Sequence, residues 1–181
     1  MIARHDARMS AASPSCWLLP DGRTATLRPI APDDFEMETA FLDGLSTEAG
    51  YHRLHSARHP SPEEIRRWTN IDPAREVAFV VTHPDSRGVE TMLAVGRMVH
   101  DDDAPDAEFA LLVGDACKRL GIGRRLLAAL IDAARSRGLR TLHGTTLSTN
   151  VGMLALGQQC GFTARRELGD ATVTRLSLRL G

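Results

Sequence analysis

The residues with the most chemical content lie in one short stretch. An apolar run from Glu108 to Val113 leads through a loop at 114–120 into Gly121-Ile122-Gly123 and then into a strongly amphipathic segment. A helix start leaves backbone N–H groups without partners and carries partial positive charge. Glycine lets a ligand approach such a backbone closely. Lys118, Arg119, Arg124 and Arg125 add cationic side chains around it. Together these features suit an anion, above all a phosphate or pyrophosphate. The same glycines also fit a tight strand–helix turn with no ligand. The pattern is neither the full dinucleotide fingerprint nor the GxxxxGK(S/T) loop. Glu108 begins the apolar run, beside the acidic turn Asp101-Asp102-Asp103-Ala104-Pro105-Asp106. A carboxylate there is either a solvated edge group or a general base whose pKa like charge raises. Asp106 and His100 are the second candidates for that base.

Regular elements must hold these groups in place. Thr24 to Ile30 alternates apolar and polar residues, as a half-buried strand does. Pro32-Asp33-Asp34 opens a helix striped by Phe35, Met37, Phe41, Leu42 and Leu45. Ser61-Pro62-Glu63-Glu64 caps a second, short helix ending near Thr69. Val77 to Thr82, Met92 to His100 and Glu108 to Val113 form an antiparallel meander. Leu120 to Gly138 is the clearest helix, with Ile122, Leu126, Leu127, Leu130, Ile131 and Ala134 on one face. A strand at Thr141 to Leu147 and a helix from Asn150 to Cys160 follow. Strands at Phe162 to Glu167 and Ala171 to Leu180 close the chain. In the last, Val173, Arg175, Ser177 and Arg179 alternate with Thr174, Leu176, Leu178 and Leu180. The expected fold is one α/β domain over 22–181, with a mixed, mostly antiparallel sheet of six or seven strands and helices on both faces. Residues 1–21, rich in Ser, Pro and Ala, read as a flexible tail.

Composition narrows the function classes. The chain has 181 residues, 43% apolar, 25% charged and 4% aromatic. That is globular, and too poor in aromatics for a stacking platform on single-stranded nucleic acid. A net charge of −1 offers no global field for DNA or RNA. No apolar run reaches the length of a membrane span. Cys16, Cys117 and Cys160 are widely spaced and make neither a metal cluster nor a disulfide framework. No metal is expected, and a reducing cytoplasm is the expected location.

Residues 108–162 resemble the acetyl-CoA-binding core of the GNAT N-acetyltransferase family. That family carries Q/R-x-x-G-x-G/A after a strand; this chain has Lys118-Arg119-Leu120-Gly121-Ile122-Gly123. A later helix runs from an Asn to Gly-Phe, here Asn150 to Gly161-Phe162. Leu45-Ser46-Thr47-Glu48, Tyr51-His52-Arg53, Thr69-Asn70-Ile71-Asp72, Arg75-Glu76-Val77-Ala78-Phe79, Ala107-Glu108-Phe109-Ala110 and Met153-Leu154-Ala155-Leu156 narrow the resemblance. They are similar to the acetyltransferase domain of bacterial Pat-type protein lysine acetyltransferases.

The resemblance implies acetyl-CoA as acyl donor and a primary amine as acceptor, with a protein lysine favoured. A small-molecule amine is the second acceptor, and a non-catalytic acyl-CoA sensor is the alternative from a different class. It implies a cofactor lying between two splayed parallel strands, 108–113 and 141–147. The backbone of Leu112 and Val113 would pair with the pantetheine arm. Lys118, Arg119, Gly121, Gly123 and Arg124 would hold the pyrophosphate. Asn150 would cap its helix or touch the cofactor. Glu108 would be the general base, because a lysine ammonium with a pKa of about 10.4 must lose a proton before it attacks. Many relatives place an acidic tyrosine seven residues after the Asn, where this chain has Gly157. Tyr51, the only tyrosine, is then the candidate near the substrate. The last two strands offer an edge for a homodimer.

Overall fold

The computed structural model describes residues 14–46 and 59–181. Their strands form one sheet of eight in the order β1-β2-β3-β4-β5-β6-β8-β7. The strands are β1 (Ser15–Leu18), β2 (Thr24–Pro29), β3 (Glu76–Pro84), β4 (Glu90–Val99), β5 (Asp106–Val113), β6 (Thr141–Leu147), β7 (Thr163–Glu167) and β8 (Asp170–Arg179). The described helices are α1 (Phe35–Asp43), α2 (Pro62–Thr69), α3 (Ile122–Ser136) and α4 (Val151–Gln159). None is long and apolar enough to cross a membrane.

Two expectations need correction. The sheet has eight strands, not six or seven, and the extra one lies in the stretch read as a tail. Ser15–Leu18 pairs antiparallel with Thr24–Leu27. Between Pro14 and Pro20 the run is too short to show a period, so its order comes from tertiary contact. Trp17 lies under the Arg125 guanidinium, 4.7 Å from the ring centroid, a cation–π contact. Leu19 is 2% exposed in the main core.

Strand alternation builds two apolar layers. Val81, Ala94, Met98 and Phe109 face one side, where α3 buries Ile122, Leu126, Leu127, Leu130 and Ala134. These helical residues repeat at three- and four-residue intervals and so share a face. Gly96 permits the close approach, since a Cβ there would lie 2.9 Å from Leu126 Cγ. Val80, Val95 and Leu112 face the other side, against Phe41 and Leu42 of α1 and Ile65 of α2. Arg97 is buried in this second layer and donates to Glu38 of α1 at 2.9 Å and to the Trp68 carbonyl at 3.2 Å. Helices therefore cover both faces of β2–β5.

All neighbouring strands are antiparallel except β5 and β6. That parallel pair joins at three rungs only, Asp106–Thr141, Ala107–Leu142 and Glu108–His143. Beyond them β5 stays with β4 as far as Val113, and β6 stays with β8 as far as Leu147. The sheet therefore opens between β5 and β6.

Candidate active site

The opening becomes a cleft of about 1140 Å³, lined by β5 from Phe109 to Val113, the loop after it, Thr145 and Thr146 of β6, and α4. Its closed end is packed tightly. A Cβ at Gly144 would lie 2.7 Å from the Phe109 carbonyl oxygen and 2.9 Å from its ring. Here β6 passes against β5 without pairing to it. The far edge of Leu112 and Val113 carries no strand, which leaves backbone groups free to bond an extended ligand.

At the wide end the chain prepares an anion site. Arg119 (φ +64°) and Gly121 (φ +80°) are both left-handed. The N–H groups of Arg119, Leu120 and Gly121 make no backbone hydrogen bond among the described residues. No side chain caps α3, and its first turn holds no acidic residue. The N–H groups and positive dipole end of this helix are thus left for a ligand. Gly123 forms the floor: a Cβ there would lie 3.2 Å from Leu156 Cδ2 and 3.5 Å from Val113 Cγ2. The donor set and the glycine cradle fit a pyrophosphate, and the open strand edge fits the amide-bearing arm that follows it in coenzyme A.

Two candidate ligands are engaged in the fold itself. Lys118 Nζ donates to Asp115 Oδ1 at 2.6 Å, and Ser46 N–H donates to Asp115 Oδ2 at 3.0 Å. The lysine and the serine N–H hold the Asp115 carboxyl down at about 2. Asn150 Oδ1 accepts from Met153 N–H at 3.1 Å, and its Nδ2 donates to Thr146 Oγ1 at 3.1 Å. Asn150 is therefore a helix cap that also lines the cleft.

The known proteins bearing on this geometry agree with one another. Residues 25–163 match the family model described as an acetyltransferase (GNAT) domain. The chain belongs to the GNAT family. A Pseudomonas aeruginosa acetyltransferase is 30% identical over 164 residues, covering 88% of this chain and 87% of that one. The acetyltransferase Pat of Mycolicibacterium smegmatis is 30% identical over 145 residues, covering 79% of this chain and 43% of Pat. The solved GNAT domain of S. lividans PAT superposes with a TM-score of 0.79 at 28% identity, covering 92% of this chain and 97% of that domain. The chain is thus a Pat-like GNAT acetyltransferase.

At the closed end of this GNAT cleft, Glu108 and His143 face each other on the last rung before the strands part. Glu108 is exposed, and Asp106 is exposed two residues earlier on the same face. Burial pushes the His143 imidazole below its ordinary pKa, helped by Arg175 and opposed by Glu108 and Asp106. His143 Nδ1 is buried without a hydrogen-bond partner. His100 is occupied elsewhere, by the Asp101 carbonyl at 3.1 Å and by Arg137 Nη1 at 3.0 Å. Asp102 forms an ion pair with Arg75, which holds its carboxyl below the ordinary value. Tyr51 lies outside the described residues. A side chain at Gly157 would have to displace Leu176, because a Cβ there lies 3.0 Å from Leu176 Cδ1. Sequence reasoning missed Gly144, Thr145, His143 and Leu156 as parts of this site. Glycine inside a strand was the available signal for the first.

Proposed function

We propose that this GNAT enzyme transfers the acetyl group of acetyl-CoA to a primary amine, with a protein lysine as acceptor and Glu108 as general base. One observation carries the reading. The slot between β5 and β6 runs from the uncapped start of α3 to Phe109 and Thr145, next to the Glu108–His143 rung where the strands join. The N–H groups of Arg119, Gly121, Gly123 and Arg124 hold the pyrophosphate, and the edge of Leu112 and Val113 pairs with the pantetheine arm. Bound acetyl-CoA supplies a thioester carbonyl to the acceptor nitrogen near the closed end. Glu108 takes the proton of the attacking amine, directly or through one water. The C–N bond forms as the C–S bond breaks. The departing thiolate, whose conjugate thiol has a pKa of about 8.5, takes its proton from water and Glu108 releases its proton to solvent, so no tyrosine at position 157 is required. The likeness to Pat favours the protein lysine.

Glu108→Gln tests the base. Turnover measured by CoA release should fall on the order of 10²- to 10⁴-fold. Calorimetric affinity for acetyl-CoA should stay unchanged, since the carboxylate lies away from the pyrophosphate end. Full turnover in the variant would remove Glu108 from the mechanism. Tight acetyl-CoA binding with no turnover on any amine by the unmodified enzyme would instead favour an acyl-CoA sensor.

A further inference from the structure

The sheet face that carries Glu108 continues past the slot onto β6, β8 and β7. Leu142 and Leu176 point into the α3-side core, so His143 and Arg175 point the other way. Arg165 of β7 stands directly opposite Arg175 in the β7–β8 register. No described helix contributes to a core on this part of the face, and both arginines are exposed. Opposed residues of an antiparallel pair have Cβ atoms about 4.5–5.5 Å apart, where like charges destabilise the sheet. Little offsets that repulsion. Arg165 has no hydrogen-bond or ion-pair partner among the described residues. Arg175 pairs with Glu167 at 3.9 Å, its one ion-pair partner among the described residues. The face thus carries Asp106 and Glu108 on β5, with Arg179 in the row of Asp106 and Thr141, and further along it Arg165, without a described partner, beside Arg175, which Glu167 meets at 3.9 Å.

We infer that this face selects an acceptor bearing a carboxylate close to its reacting amine, a deepening that rests on the acetyltransferase reading above. The ammonium is drawn to Asp106 and Glu108 while the carboxylate meets Arg175 and Arg165. Guanidinium is well suited to the second contact, because its planar fork bonds a carboxylate through two parallel N–H donors. Strands β5 and β8 are two spacings apart, on the order of 10 Å. That separation suits an acidic residue one or two positions from a target lysine. It also suits the carboxylate of a free amino acid, and the chemistry recognised is the same.

The test compares matched acceptors. One arm uses lysine peptides with Glu or Gln beside the lysine; the other uses free amino acids and their amides. kcat/KM is read from CoA release at low and high salt. A preference for the carboxylate form of tenfold or more at low salt, weakened by salt, is expected in at least one arm, and that arm identifies the source. In Arg165→Ala, whose residue supports no other contact, the preference should shrink. In Arg165→Ala/Arg175→Ala it should fall to near unity, while the double lysine variant should keep part of it. A ratio near unity in the unmodified enzyme overturns the inference, as does an unchanged ratio in the double alanine variant with a normal melting transition. Either result leaves acetyl transfer standing. Absence of turnover on every amine would overturn the acetyltransferase reading and this inference together.

Discussion

Gly144 sits where a side chain has no room, and the width of the slot depends on it. A methyl group there would press on the Phe109 carbonyl and ring. Overpacking of this kind typically costs about 1–3 kcal/mol. Gly144→Ala should therefore lower the thermal midpoint, by roughly 2–4 °C per kcal/mol for a domain of this size. Gly152→Ala is the control: it lies in α4, its added Cβ would come no closer than 3.8 Å to Asn150 Oδ1, and helix propensity favours it. Differential scanning calorimetry should give shifts of opposite sign, and equal shifts would remove the special role of Gly144. Much at this scale was legible beforehand. The Gly121–Gly123 turn could be named because type and spacing mark it, whereas Glu108 was singled out only through the resemblance of Ala107-Glu108-Phe109-Ala110. His143 and Gly144 could not be named, because their meaning depends on which strand lies alongside. Asn150 left two readings open, and its bonds to Met153 and Thr146 show the cap.

Among the elements, the carboxylate of Asp115 ties the loop between β5 and α3 to the chain just beyond α1. Asp115 accepts from Ser46 just beyond α1 and from Lys118 beside the pyrophosphate turn. Its folded pKa of about 2 lies below the ordinary 3.8. The stability it contributes is present above 3.8 and is lost as pH falls towards 2. Asp115→Asn should lower stability at neutral pH and flatten its decline across that acid window. Urea midpoints taken from pH 5 downwards would show this, and parallel curves for the two proteins would refute it. The position of α3 was legible from its apolar stripe, and the meander from its runs and turns. Strand β1 was not, since four residues between two prolines carry no period. The resemblance implied that β5 and β6 splay, but not that they part after three rungs, because loss of pairing leaves no mark on composition.

For the whole molecule, the three parallel rungs divide one sheet into two blocks, β1–β5 and β6–β8–β7. Each block is internally antiparallel, and the hydrogen-bonded seam between them is short. The apolar layer under α3 bridges them, joining Phe109 and Ile122 to Leu142 and Leu176. Such a molecule has a built-in line of weakness, and sub-global opening follows contiguous cooperative units. Amide protons on β6, β8 and β7 should exchange with deuterium as one group, faster than those of β3 and β4. An extended donor laid along the edge of Leu112 and Val113 would suture that seam from within. With acetyl-CoA bound, the two exchange rates should draw together by more than the slowing seen in β3 alone. The enzyme would then hold its most cohesive shape only while charged with the group it is about to give away.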